Sequence, residues 1–561
     1  MKRYKLHTFL LIAALLIGSL SGCGESSGVS SGTGGASAGN TADSTAAVQS
    51  AVDPSQMFTD RDKEIGYDES SAAVIRLNGD SAQCDSNAVR ISGGTVTIAD
   101  EGTYILSGSL NSGMVIVEAA DTDQVQLVLN GVEIHSESSA AIYIRKADKV
   151  LVTTASGSEN TLINGGQFTA IDENNIDAVL FSKADLTLNG AGSLTIETEG
   201  GHGVVSKDDL VLTSGSYHIT AASHGLSGKD SVRIASGEFT IVSGKDGVQA
   251  ENDEDASLGF LYIAGGTFDI DADGDGLSAG SCAQIDSGEF NLLTGGGSSN
   301  AAVQESDWRG NFPGWENSAS PEETVSSKGV KAAGDLLLNG GSFTIDSADD
   351  ALHSNANLKV SGGTYSIATG DDGLHADSAL SVAAGSIVIT ESYVGLEGLT
   401  IDITGGEIRL VASDDGLNAA GGNDQSGFEG FGGSRRGPDG FASDSGAYVH
   451  ISGGTLYVNA SGDGIDSNGS LTVSGGETYV SGPSDGGNGA LDYDSDAAIS
   501  GGVFVAAGSS QMAQSFGSSS PQGVMMVSVG AQQAGSSITL ADGSGKALLS
   551  WTADKAFECN R

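Results

Sequence analysis

Proline is nearly missing from this chain, 6 residues in 561, and aromatic side chains make up only 6%. A stiff Pro-rich linker is therefore excluded. So is a collagen helix, because the 85 glycines follow no strict three-residue period. Cationic residues are also few: 25 Lys and Arg stand against 72 Asp and Glu, a formal net charge of −47. Such a chain repels nucleic acid and anionic membrane and attracts divalent cations. The four cysteines are widely spaced and supply neither a disulfide framework nor zinc-ligand spacing. Cys84, Cys282 and Cys559 are expected to act as small buried hydrophobic residues.

The apolar run from Phe9 to Ile17 is too short to span a membrane. Lys2, Arg3 and Lys5 precede it, and Leu20-Ser21-Gly22-Cys23 follows. This arrangement reads as a processing signal and not as part of the fold. Leu-Ser-Gly-Cys resembles a bacterial lipobox, which implies a signal peptide over residues 1–22 and lipid on Cys23. Residues 23–50 are Ser, Gly, Ala and Thr with few large apolar side chains, a flexible tether. The expected location is extracytoplasmic, lipid-anchored to the bacterial cell membrane or surface through Cys23 alone.

One phrase recurs: a Gly-Gly corner, a short alternating strand, then an acidic turn ending in Gly and Leu or Ile. It reads GGTFDIDADGDGLSAG at 265–280, GGTYSIATGDDGLHAD at 362–377 and GGTLYVNASGDGIDSN at 453–468. The small residue before the turn's apolar residue falls at Gly203, Gly225, Gly247, Gly276, Gly329, Ala351, Gly373, Gly395, Gly416, Gly464 and Gly489, most often 22 residues apart. Three short strands and three bends per unit predict an all-β fold, a right-handed single-stranded parallel β-helix of about 22 residues per coil with N- and C-terminal caps. A helical solenoid is disfavoured by the glycines and by the lack of a 3.6-residue apolar stripe. The expected division is a cap and first coils over 51–130, coils over 131–502 with insertions at about 296–327 and 421–446, and a β cap over 503–561.

Residues one period apart stack in such a fold, so the turn acids form columns. One holds Asp246, Asp275, Asp350, Asp372, Asp415 and Asp463. Asp273, Asp349, Asp371 and Asp414 precede it, and Asp377 and Asp466 lie beyond the apolar residue. Carboxylates stacked about 5 Å apart repel one another, and their pKa values rise unless a counter-charge arrives. Lys328, Lys331, Lys359 and Arg409 are few against these acids. Ca2+ is the expected answer, because it accepts six to eight mixed oxygen ligands in flexible geometry. The candidate ligands are Asp273, Asp275, Asp349, Asp350, Asp371, Asp372, Asp377, Asp414, Asp415, Asp463 and Asp466. An Asp-Gly pair also makes turns without any metal, and both readings stay open. His353 and His375 share a coil position; they are expected to form a ladder outside the calcium column, with a transition-metal pair as the alternative. His202 and His224 stack for the same reason. At Tyr393-Val394-Gly395-Leu396 the turn acid is absent, and Glu391 or Glu397 is the candidate substitute.

The insertions are the candidate binding rim. Trp308 and Trp315 lie in the first, and Arg435 and Arg436 in the second. Aromatic faces suit the CH faces of a sugar ring, and Arg suits a uronate carboxylate; simple packing of the loop onto the coil is the alternative for the Trp pair. The lipobox, the repeated strand and acidic turn, and the departing C-terminal segment together resemble a family of bacterial carbohydrate-binding surface proteins over roughly residues 65–561. The resemblance implies a pectate-lyase-like parallel β-helix that binds calcium and cellulose or polygalacturonate, with calcium ligation by turn acids such as Asp349, Asp371, Asp414 and Asp463. The expected function is calcium-dependent binding of acidic or cellulosic polysaccharide by a monomer. The alternatives are a pectate-type lyase, with Lys359, Arg409 or Arg435 as base, and a structural or adhesive surface protein. No catalytic residue is assigned.

Overall fold

The structure is a computed structural model and describes residues 52–301, 326–420, 446–484 and 486–560. Helix among these residues is confined to three short turns, Pro54–Gln56, Asp60–Lys63 and Ser298–Asn300; the rest of the regular structure is strand. From Glu159 onward three strands recur per unit, and each pairs in parallel with its equivalent in the next unit. The protein is thus an all-β solenoid with three parallel ladders.

Local sequence accounts for each ladder. The strand after the Gly-Gly corner alternates strictly, as in Glu238–Ser243 and Thr267–Ala272, where every second residue is buried. Its first inward residue is aromatic in six successive units. Tyr217, Phe239, Phe268, Phe290, Phe343 and Tyr365 stack with centroids 4.4–5.3 Å apart. The second ladder holds the short strands that follow the acidic turn, among them Leu226–Gly228, Leu277–Ala279 and Leu352–Ser354. The third includes Ser231–Ile234, Ala283–Ile285 and Leu358–Val360. Inward Leu, Ile and Val from all three ladders form one continuous core along the solenoid.

The aligned small residue has a steric cause. A Cβ placed on Gly225 meets Ile241 Cγ2 at 2.5 Å and the Gly247 carbonyl oxygen at 2.7 Å. At the Gly-Gly corner, Gly237 adopts φ 145°, where side chains are strained, and a Cβ there meets the Phe239 ring at 2.8 Å.

Beyond Gly508 the parallel order ends. Phe557–Asn560 pairs antiparallel with Val503–Gly508 and with Val527–Gln532, and Ser537–Ala541 forms a hairpin with Ala547–Thr552. At the other end, Asp62 is buried and reaches Lys149 Nζ at 2.6 Å and Thr187 Oγ1 at 2.7 Å, tying residues 54–64 to the coils. Cys84, Cys282 and Cys559 are free thiols; Cys559 is buried as expected, whereas Cys84 and Cys282 are half-buried. No helix among the described residues is long and apolar enough to cross a membrane.

Candidate metal and glycan site

The acidic turn brings one residue per coil into a single column. The N–H of the aligned small residue in each coil donates to the carbonyl of the column residue in the next: Gly225 to Asp246, Gly247 to Asp275, Gly276 to Lys328, Gly329 to Asp350, Ala351 to Asp372, Gly373 to Val394, Gly395 to Asp415 and Gly416 to Asp463. The column therefore reads His202, His224, Asp246, Asp275, Lys328, Asp350, Asp372, Val394, Asp415, Asp463.

Its side chains have a structural use that no cation supplies. Each acceptor takes the backbone N–H of the next coil: His202 Nδ1 from His224 (3.3 Å), His224 Nδ1 from Asp246 (3.1 Å), Asp246 Oδ1 from Asp275 (2.9 Å), Asp275 Oδ1 from Lys328 (2.8 Å) and Asp350 Oδ1 from Asp372 (2.9 Å). Asp415 accepts from Asp463 in the same way. These bonds need a neutral imidazole at His224, and burial together with the neighbouring His202 lowers its pKa to about 3. The His202 and His224 rings stack at 5.0 Å, as their spacing predicts.

In the middle coils the counter-charge comes from the protein. Lys328 is fully buried, and its Nζ lies 2.7 Å from Asp349 Oδ1 and 2.8 Å from Asp350 Oδ2. Basic residues are few in the chain, yet this one stands in the column itself, and Lys331 Nζ lies 3.7 Å from Asp275 Oδ2. Burial acts to raise the Asp350 pKa, but Lys328 and His353 outweigh it and hold the carboxyl well below the usual range.

His353 and His375 do not lie outside the acid column, contrary to expectation. His353 Nδ1 is 2.7 Å from Asp350 Oδ2, and His375 bridges Asp372 Oδ2 (3.0 Å) and Asp377 Oδ1 (3.1 Å). The cause is register: the residue after each turn's Leu points back over the column, giving Ser278, Lys331, His353, His375, Glu397, Asn418 and Asp466 as a second stack. Burial opposes the charge on His375, but its two carboxylate partners push its pKa up to about 12. In the coil whose column residue is Val394, Glu397 stands in the second stack in register with His375. Burial and the neighbouring Asp372 push the Glu397 carboxyl up to about 9.

These middle coils place Asp350, His353 and His375 within metal-ligand reach, as they do Asp372, His375 and Glu397, and Asp349, Asp350 and Asp371. The two imidazoles do not fit a shared transition metal. Their rings are stacked, parallel within 11° with centroids 4.7 Å apart, so their in-plane nitrogen lone pairs run side by side and do not converge on one ion. A hard cation fits this region poorly too, because the Asp350 oxygens already receive Lys328, His353 and the Asp372 N–H.

The coils around 414–466 differ. Asp414 and Asp463 crowd Asp415 there, Asp463 crowds Asp466, and no described cation pairs with Asp414, Asp415 or Asp466. Burial and the charges of Asp414 and Asp463 push Asp415 up to about 8; burial with Asp463 and Asp492 pushes Asp466 up to about 7. Asn418, the register partner of Asp466, has its buried Oδ1 without a hydrogen-bond partner. An oxygen-only set with uncompensated charge and an orphan amide carbonyl suits Ca2+. Asp273 is exposed. Trp308, Trp315, Arg435, Arg436 and Cys23 lie outside the described residues.

The sequence placed Lys328 among the few cations near these acids and Asn418 beside the column, but not Lys328 inside the column nor Asn418 as an orphan carbonyl. Their signal was position alone: Lys328 precedes the aligned Gly329, and Asn418 follows Leu417 as Asp466 follows Ile465.

The model of the family described as carbohydrate-binding domain-containing protein matches residues 92–373 and 371–543. A protein of the same description from Acetivibrio thermocellus is 32% identical over 152 residues, 27% of this chain and 53% of that protein. The chain thus spans about half the length of that curated relative. A solved structure, a gadolinium derivative of the polysaccharide lyase-like protein from C. thermocellum, is 32% identical, covers 40% of this chain and 92% of its own, and has a TM-score of 0.39. The two matched segments together take in most of the chain, and it belongs to the carbohydrate-binding domain-containing protein family.

Proposed function

We propose that this protein binds acidic polysaccharide through Ca2+ held in the turns of a right-handed parallel β-helix. The carrying observation is the group Asp414, Asp415, Asp466 and Asn418: no described cation pairs with the three carboxylates, neighbouring carboxylates push Asp415 and Asp466 up, and the Asn418 Oδ1 has no hydrogen-bond partner. These residues would hold the ion. When bound, it supplies positive charge that neutralises the carboxylates and bridges to those of the glycan. Stacked parallel strands offer a rigid face along which an extended chain makes repeated weak contacts, and these add avidity. A lipid on Cys23 would place that face at the bacterial surface.

Polygalacturonate retention with calcium and with chelator tests the reading. Chelator is expected to weaken retention at least about tenfold, and D415N/D466N to lower calcium affinity by a similar factor, from a range of about 10⁻⁴–10⁻³ M. Equal retention in both buffers would refute calcium bridging.

The second reading is a pectate-type lyase, favoured by the printed name of the solved relative, polysaccharide lyase-like. Its base would be an Arg or Lys beside the metal. Arg409 instead lies 3.8 Å over the Tyr457 ring and 3.0 Å from Glu407, and Lys359 lies in the third ladder, away from the acid turn. Unsaturated product formed from polygalacturonate and calcium would establish the lyase.

A further inference from the structure

The short strand that follows the acidic turn ends in a second column, and in the first coils that column is basic. Register pairs Ile144 with Ser182, Ser182 with Ser206, Ser206 with Gly228, and Gly228 with Ala250. The residues that follow them are Arg145, Lys183, Lys207, Lys229 and Glu251. Their backbones confirm the stack: Lys183 N–H donates to the Ile144 carbonyl, Lys207 to Ser182, Lys229 to Ser206 and Glu251 to Gly228, at 2.8–3.0 Å. Four cations on four successive coils are a concentration in a chain with only 25 basic residues. Successive positions are about 4.8 Å apart, the spacing of paired strands.

Two members of this column are tied down. Arg145 lies 5.5 Å over the Tyr143 ring, with Nε 2.9 Å from Asp172 and Nη1 3.4 Å from Glu118. Lys207 reaches forward to Glu251 at 3.3 Å, where the column changes sign. Lys183 and Lys229 are exposed and have no ion-pair partner among the described residues. Lys183 and Arg145 open onto a cavity of about 530 Å3 lined also by Lys146 and by four acids, Glu118, Asp121, Asp172 and Glu173, so the unpaired charge of the column lies at Lys183 and Lys229 and not in the cavity.

We propose that Arg145, Lys183, Lys207 and Lys229 form a metal-free subsite for the carboxylates of a linear acidic glycan. Cations one coil apart, two of them exposed (Lys183 and Lys229), suit a polymer with one carboxylate per sugar, and a flexible Lys tolerates mismatch between the two repeats. The inference rests on the reading that the protein binds acidic polysaccharide, and it adds a contact independent of calcium.

The test measures polygalacturonate binding by the full chain in chelator at low salt, for wild type, K183Q/K207Q/K229Q and D415N/D466N. Wild type is expected to bind weakly, with affinity falling as salt screens the charges. The triple Lys variant should bind at least about tenfold more weakly in chelator, yet keep wild-type calcium uptake and an unchanged melting temperature. D415N/D466N should do the opposite, keeping metal-free binding and losing the calcium-dependent gain. Methyl-esterified polygalacturonate should not bind in chelator. Metal-free binding that is absent in wild type, unchanged in the Lys variant, or equal for the esterified polymer would overturn the subsite. A calcium-dependent gain that is absent while metal-free binding persists would sink the calcium reading and leave this one standing.

Discussion

At the residue scale, Lys328 carries more of the acidic column than any aspartate in it. Its ammonium is the counter-charge for Asp349 and Asp350, and all solvent is excluded from it and from Asp350. A buried pair adds little over an apolar pair of the same shape, but removing one partner strands the other charge in a low-dielectric core. Lys328→Met is therefore expected to destabilise the protein by about 3–5 kcal/mol in urea unfolding. A loss below about 1 kcal/mol would show that Asp349 and Asp350 find another partner. Only its position before the aligned Gly329 announces this role in sequence. It follows a long insertion and stands 53 residues after Asp275 in the chain, yet its N–H lies 2.8 Å from an Asp275 carboxylate oxygen.

At the element scale, two stacks respond to different perturbations. The aromatic stack is apolar: Phe290 lies between Phe268 at 4.8 Å and Phe343 at 4.4 Å. Phe290→Ala removes both ring contacts and leaves a cavity, with an expected cost of about 3–5 kcal/mol. Because coils contact mainly their neighbours, hydrogen exchange should quicken first in strands 267–272 and 342–347. Uniform loss of protection along the whole solenoid would contradict that locality.

The acid stack at 414–466 responds to pH. Asp415 and Asp466 are raised to about 8 and about 7 in the fold, against about 3.9 when unfolded. Between about pH 4 and pH 8 the folded state thus holds more protons than the unfolded one. Stability must fall as pH rises through that window. Metal-free protein is expected to melt at lower temperature at pH 8 than at pH 5, and calcium to raise the melting temperature more at pH 8. D415N should flatten the pH dependence and blunt the calcium response together. A calcium shift of equal size at both pH values would count against carboxylate ligation there.

At the scale of the whole molecule, the column was legible because a fixed period converts sequence position into spatial position. Gly203, Gly225 and Gly247 predicted the stack, and the backbone bonds between their coils bear it out. His202 and His224 followed from the same arithmetic. The direction of a side chain beside the column was not legible in this way. His353 and His375 share a period and so had to stack, but their contact with Asp350 and Asp372 depends on how the strand after the turn is rotated. The basic column Arg145, Lys183, Lys207 and Lys229 escaped notice because its coils carry insertions between Arg145 and Lys183 and no shared motif around the cations.

By itself the sequence determined that the chain is an all-β solenoid of three-strand units, and that its turn acids stand one above another. A repeat of one period admits no other packing of its apolar residues. Only the tertiary structure decided which of those acids are already neutralised, by Lys328, by His353 and His375, and by backbone N–H groups, and which are left crowding one another at 414–466. Neutralisation depends on distances of 2.7–3.0 Å, between coils for Lys328 and within one turn for the His–Asp pairs, and a period defines coils without defining where their side chains point.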